Sequence, residues 1–290
     1  MDKITMLGTG HAMTFGCFNT CFIYENENGK MLVDTGGGNG LISQLGKAGH
    51  NPGEIRAVFI SHRHTDHIMG LPWLLRTAGG PGGGDPIDLY LHEDVYPIAK
   101  AMVELMFPEK LEELNKSLRF IQIKHGDEAE ILGRKFRFLD LNSPTCPQFG
   151  FSMTLETGKQ LVFHGDVPFD ESNRKEMEGA DYLMHEAFNL ASDKHPMGGP
   201  GMPPMPGGGM PPMPGGGMPP MPGGKPGKKG HSTVKEAAGY AASLKVDTLI
   251  LIHGNDNDLA HRKEKYIAEA SEAFSGRIFA PNDLDVIELN

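Results

Sequence analysis

Within six residues, His62 to His67, the sequence HRHTDH gathers three imidazoles and one carboxylate. Imidazole nitrogen and carboxylate oxygen are the donors that borderline and harder divalent cations accept, so His62, His64, Asp66 and His67 can face two metal positions from one turn. A cation held in this way lowers the pKa of a water and polarises a phosphoryl or carbonyl oxygen, which is hydrolytic chemistry. A chance surface cluster would titrate and contribute nothing. That alternative fits the context poorly, because the apolar run Ala57 to Ile60 leads straight into the cluster as a buried strand would.

Such a turn needs a scaffold on both sides of it. Ile4 to Leu7, Thr20 to Tyr24 and Met31 to Val33 read as strands, the last two joined by the turn Glu25 to Gly29. Leu41 to Leu45 is helix-like, Ile55 to Ile60 a strand, Gly70 to Thr77 a helix, Ile87 to Leu91 a strand and Val95 to Met106 a helix stopped at Pro108. Gly79 to Gly84 reads as a loop. Five short strands follow, at Phe120 to Ile123, Glu128 to Leu132, Phe136 to Leu141, Phe149 to Leu155 and Gln160 to Phe163. Alternation then returns with strand Tyr182 to His185, helix Thr233 to Ser243, strand Thr248 to Ile252, helix His261 to Phe274 and strand Val286 to Leu289. This order predicts an α/β protein of two sheet-plus-helix layers facing each other. Residues 1–290 are expected to form one domain, with a Met/Pro/Gly-rich insertion at 196–230. Within it GMPPMPGG occurs three times head to tail, from Gly201, Gly209 and Gly217. Neither helix nor sheet suits that composition, which predicts a mobile, partly extended loop.

Composition narrows the partners. Lys plus Arg number 27 against 37 Asp plus Glu, a net charge of −10, which disfavours a general grip on nucleic acid or anionic membranes. No run approaches the roughly 18 apolar residues of a membrane span. No positively charged stretch leads into an apolar one after Met1, so a cytoplasmic location is expected. Cys17, Cys21 and Cys146 form no CxxC spacing and suit a reducing compartment.

HRHTDH resembles the HxHxDH signature of the metallo-β-lactamase superfamily. Further matches occur in the same order: Leu32-Val33-Asp34-Thr35-Gly36, Gly165-Asp166 and Ile252-His253. The likeness is closest to the tRNase Z-like branch, through LGTG at Leu7, His185-Glu186-Ala187, and His231-Ser232-Thr233 leading into a helix. It covers the chain apart from about Ser192 to Gly230. It implies a four-layer αβ/βα sandwich and a metal-dependent hydrolase holding two divalent ions, zinc first, with manganese, iron or magnesium as alternatives. It further implies that His62 and His64 serve one ion, Asp66 and His67 the other, Asp166 bridges, His253 completes the second site and Asp34 orients a ligand histidine. Asp66, His231 and Glu186 are then the catalytic residues, His231 protonating the leaving oxygen while Glu186 holds it.

Two departures shape the expectation. A third histidine for the first ion is missing from Leu139 to Cys146, leaving Asn142 as the expected ligand and that site weak; His164, two residues before Asp166, is the substitute considered beside it. The long basic arm that tRNA-processing bacterial members carry is also missing, since Gly150 and Gly165 stand fifteen positions apart, room for one hairpin. The reading is therefore a phosphodiesterase acting on a small phosphodiester or another small molecule, with tRNA disfavoured, no membrane partner, and a homodimer left open. The alternatives are a hydrolase of a carbonyl ester, lactone or thioester on the same fold, and a metal-binding protein without turnover. His11 could line the pocket. His50, His92, His125, His195 and His261 read as solvated.

Overall fold

The computed structural model describes residues 1–78, 86–193 and 230–290. The Gly79 to Gly84 loop, the GMPPMPGG repeats and His195 lie outside the described residues.

The first sheet collects β1 (Lys3–Gly8), β2 (Cys21–Asn26), β3 (Gly29–Val33), β4 (Ile55–Ile60), β5 (Ile87–His92) and β6 (Leu118–Ile123). The second collects β7 (Glu128–Ile131), β8 (Arg134–Asp140), β9 (Phe149–Thr154), β10 (Gln160–Phe163), β11 (Tyr182–Glu186), β12 (Thr248–Ile252) and β13 (Arg277–Phe279). A last strand, β14 (Val286–Glu288), returns to pair with β1, so each sheet has seven strands, ordered 14-1-2-3-4-5-6 and 13-12-11-10-9-8-7. Both sheets are mixed in the same sense. Pairing is antiparallel from β14 to β3 and parallel from β3 to β6; it is antiparallel from β7 to β10 and parallel from β10 to β13.

Alternation along the strands decides which sheet face meets which layer. Met31, Val33, Phe59, Phe138, Phe151 and Phe163 belong to the core between the sheets, where Phe59 packs at 5.3 Å on Phe151 and 5.8 Å on Phe138. The opposite faces carry Leu32, Val58 and Ile60, or Leu183, Leu249 and Leu251. These meet helices. On the first side lie α1 (Gly40–Lys47), α2 (Thr65–Ile68), α3 (Leu71–Ala78), α4 (Tyr96–Met106) and α5 (Leu111–Ser117); on the second lie α6 (Arg174–Met177), α7 (Val234–Ser243) and α8 (Arg262–Ser271). The result is the four-layer αβ/βα sandwich expected from the sequence. The sequence reading omitted β13, α2, α5 and α6: each is short, and their apolar residues show no period long enough to register.

Helix α7 starts where expected. Thr233 is its N-cap, its hydroxyl accepting from Glu236 N at 3.2 Å while the Glu236 carboxylate accepts from Thr233 N at 2.9 Å. This reciprocal cap satisfies backbone donors that the helix start would leave unpaired. It also fixes the direction in which the chain arrives from His231.

Candidate metal centre and acid–base site

The parallel strands of both sheets end at one edge, and the loops leaving those ends carry the polar residues. Asp34 follows β3, His62 follows β4, Asp166 follows β10, Glu186 ends β11 and His253 follows β12. Asp34 and His253 both have φ of 56°, a left-handed conformation uncommon for non-glycine residues, each one step beyond a strand end. Gly70 lets this edge close: its N–H bonds to Gly36 O, and a Cβ there would sit 1.9 Å from Thr35 O.

The structure brings His62, Asp66, His67, Asp166 and His253 together, all buried. Asp66 Oδ2 and Asp166 Oδ2 lie 3.4 and 3.5 Å from His67 Nε2, and both lie 3.5 Å from His253 Nε2. These separations are long for hydrogen bonds, which favour 2.7–3.2 Å. Each is close to the separation of two donors that share a cation, since ligands bonded at about 2.0–2.1 Å in a tetrahedron stand roughly 3.3 Å apart. Asp166 Oδ1 is buried and unpartnered. Beside these donors, His62 Nε2 is 3.7 Å from Asp166 Oδ2 and at hydrogen-bond distance, 2.8 Å, from His64 Nδ1. Donors of His62, His67 and Asp166, of Asp66, His67 and His253, and of Asp166, His231 and His253 each fall within 4.8 Å of one another. The residues present therefore fit divalent metal.

Charges within the cluster act in the same direction. Burial disfavours the charged form of His67, but Asp34, Asp66 and Asp166 outweigh it and raise its pKa well above the ordinary imidazole range. Burial would likewise raise Asp66 and Asp166; the histidines beside them overcome that and hold both carboxylates well below the usual carboxylate range. His62 and His64 are held below the imidazole range, mainly by desolvation, which leaves neutral rings with a lone pair to share.

Outer partners fix the rings. Asp34 Oδ2 lies 2.7 Å from His67 Nδ1 and accepts from Ser61 Oγ at 2.8 Å, while its Oδ1 accepts from Ser61 N at 2.7 Å. Ser61 Oγ is in turn 3.0 Å from His62 Nδ1. One carboxylate thus directs two rings, leaving Nε2 of each toward the cluster. Glu186 is fully buried; its Oε2 is 2.7 Å from His231 Nδ1 and its Oε1 accepts from Ser232 N at 2.7 Å. His231 loses from burial and gains more from Glu186, so its pKa is raised, whereas burial raises Glu186 despite the imidazole beside it.

Asn142 is not brought into the cluster. The chain turns there with φ of 53°, and the amide donates to Ser172 Oγ at 2.5 Å and toward Asp170 Oδ1 at 3.4 Å, both at the far side of the loop. Cys146 instead reaches His64 at the rim of the cluster, its Sγ 3.7 Å from His64 Nε2. His164 also stays out. Strand β10 ends at Phe163, and Gly165 with φ of 72° turns the chain, so residues 164 and 166 no longer share a face. His164 stacks instead on His185, centroids 4.7 Å apart. Two histidines expected in solvent are partly covered: His92 stacks on Phe149 at 4.6 Å, and His50 lies 3.6 Å from Glu25. Sequence reasoning passed over Ser61, Cys146 and Phe188; of these only Ser61 had a signal, its place directly before the motif.

A family model described as Anti-Pycsar protein Apyc1 matches residues 2–195. The ribonuclease Z of Natronomonas pharaonis is 24% identical over 335 aligned positions, covering 99% of this chain and 97% of that protein. Among solved structures, the metallo-β-lactamase fold protein YhfI from Bacillus subtilis superposes with a TM-score of 0.70 at 19% identity, covering 99% of this chain and 98% of that one. A diphosphatase from the PhnP family superposes with a TM-score of 0.69 at 17% identity, covering 100% and 98%. Among the described residues no helix is long and apolar enough to cross a membrane.

Proposed function

Since this chain belongs to the Anti-Pycsar protein Apyc1 family, within the tRNase Z-like branch of the metallo-β-lactamase superfamily, we propose that it is a metal-dependent hydrolase of small phosphodiesters. The observation that carries this reading is the set of four donors, His67 Nε2, His253 Nε2, Asp66 Oδ2 and Asp166 Oδ2, at 3.4 to 3.5 Å, with the His231–Glu186 pair at its rim. His62, His64 and Asp166 would hold one divalent ion and Asp66, His67, Asp166 and His253 a second, zinc being favoured by the imidazole-rich donor set. When bound, such ions supply Lewis acidity toward a phosphoryl oxygen and acidify water.

The chain's own groups do the rest. Asp34 and Ser61 hold the rings of His67 and His62 in one tautomer, which costs no reorganisation during reaction. Glu186 accepts from Nδ1 of His231, so the opposite nitrogen carries the transferable proton, and a ring nitrogen of His231 lies within 4.8 Å of donors of Asp166 and His253. This proximity supports His231 as the acid for an oxygen leaving from the cluster.

A small substrate is favoured by the join between β9 and β10. Their pairing runs from Thr154 opposite Gln160 with a tight turn between, Leu155 N bonding Lys159 O, and leaves no arm to grip a long nucleic acid. The ribonuclease Z relatives weigh the other way. The test is hydrolysis of bis(p-nitrophenyl) phosphate and of a tRNA precursor by metal-loaded protein, with His231→Ala in parallel. Turnover of the diester that needs metal and leaves the precursor intact is the expected result. Cleavage of the precursor at a comparable rate would overturn the small-substrate reading, and carboxylester hydrolysis alone would overturn the phosphodiesterase.

A further inference from the structure

Next to His253 stands a third imidazole that the reading above leaves without a task. His11 lies in the loop after β1 and is only 6% exposed. Its ring stacks on Phe188 at 4.2 Å, and the other face of the same aromatic neighbourhood is His231, stacked on Phe188 at 4.5 Å. His11 and His253 have centroids 6.2 Å apart, and His231 and His253 5.5 Å, so the three rings stand together around Phe188.

The loop around His11 is built to hold it still. Its backbone N–H donates to Gly254 O at 3.2 Å, tying it to the residue after His253, while its carbonyl accepts from Thr14 Oγ1 and Asn19 Nδ2, each at 2.9 Å. Asp256 Oδ2 accepts from both Phe15 N and Gly16 N at 2.6 Å and so closes the loop against the strand end. On the ring itself, Nδ1 accepts from Met13 N at 3.1 Å. A backbone N–H can only donate, so Nδ1 carries no proton and Nε2 carries it. Nε2 has no hydrogen-bond partner among the described residues, and it is not one of the buried orphan atoms.

We propose that His11 is a substrate-contacting residue, a fixed-tautomer imidazole whose Nε2–H donates to an oxygen of the phosphodiester held between it, His231 and His253. This rests on the phosphodiesterase reading. His11 differs in kind from His231. Glu186 stands on Nδ1 of His231 and supports its positive charge, whereas Nδ1 of His11 meets a backbone donor that opposes one. Burial, with His253 and His231 close by, also depresses its pKa to about 4, in keeping with the neutral form; Asp256 and Asp66 act against this. His11 therefore binds oxygen without passing a proton.

The test compares His11→Phe, which keeps the stack on Phe188 and removes the donor, with His11→Gln, which keeps a donor. Metal content should stay at the wild-type level in both. KM for bis(p-nitrophenyl) phosphate should rise about ten- to a hundredfold in His11→Phe, the range for losing a hydrogen bond to a charged oxygen, with partial recovery in His11→Gln and the pH profile unmoved. Independently of turnover, inorganic phosphate should bind the metal-loaded His11→Phe protein more weakly by a similar factor, and imidazole nitrogen NMR should show wild-type His11 protonated at Nε2 alone. Should the wild type hydrolyse no diester, the function reading fails while phosphate affinity and NMR still decide on His11. Unchanged phosphate affinity, a proton on Nδ1, a shifted pH limb, or loss of metal would each overturn the proposal.

Discussion

Glu186 Oε2 stands 2.7 Å from His231 Nδ1 across 45 residues of sequence, and the same carboxylate anchors Ser232 N through its other oxygen. One buried charge thus sets both the tautomer of His231 and the approach of the chain to the cap at Thr233. The pairing raises the pKa of His231, so its protonated form persists to higher pH than a free imidazole would allow.

Glu186→Gln should therefore move activity along the pH axis. If protonated His231 is the acid, kcat falls as pH rises through its raised pKa; without the carboxylate that pKa drops, and the alkaline limb shifts to lower pH. A kcat-against-pH profile checks this, and a limb in the wild-type position would remove Glu186 from the acid's support.

His231→Ala should keep its metal and lose about a hundred- to ten-thousandfold in turnover, the usual range for a general acid. The loss should shrink with a p-nitrophenolate leaving group, which needs little protonation, relative to an alkoxide. Equal losses with both would assign His231 to binding instead.

Asp166→Ala should empty the centre of metal, because its carboxylate oxygen lies within 3.7 Å of His62, His67 and His253 nitrogens alike. Far-ultraviolet circular dichroism should be preserved, since strand pairing does not run through this side chain. Elemental analysis after dialysis decides it: retained metal contradicts the shared-ligand role.

Asn142→His should leave metal retention unchanged, because residue 142 turns toward Ser172 rather than the cluster. Cys146→Ala should loosen the ion beside His62 by about tenfold or more, since the outer nitrogen of His64 loses its neighbour, and Cys146→Ser should recover part of it. Dialysis against graded chelator measures both. Tighter zinc in Asn142→His would restore the role expected from the sequence.

Buried His185 should make the fold sensitive to acid. Burial lowers its pKa from 6.5 to about 4, and its Nε2 is unpartnered. The unfolded chain thus binds the proton first, and stability is lost as pH falls from 6.5 toward about 4, by on the order of 3 kcal/mol for this residue. His185→Phe should flatten that slope. Urea titrations of chelator-treated protein at several pH values provide the measurement, and an equally steep slope in the variant would place the sensitivity elsewhere.

The sequence by itself determined what is local. HRHTDH places its donors within six residues of one strand end, so the strand–turn geometry brings His62, Asp66 and His67 close whatever the rest of the chain does. The αβ/βα layering was legible for the same reason, because each strand's apolar face is written in its own alternation, and the capping pair Thr233 and Glu236 marks a helix start. The tertiary structure decided what depends on a turn or on another element. Whether residue 142, 146 or 164 reaches His64 follows from backbone torsions, a left-handed Asn142 and the Gly165 turn, that no periodicity encodes. The partnership of Asp34 with both Ser61 and His67 joins the ends of β3 and β4, distant in sequence but paired as neighbours in one sheet, and the alignment of His11 with Phe188 and His231 joins segments that meet because the two sheets pack face to face. Side-chain identity carries the chemistry of those contacts, but their existence is a property of the packed core.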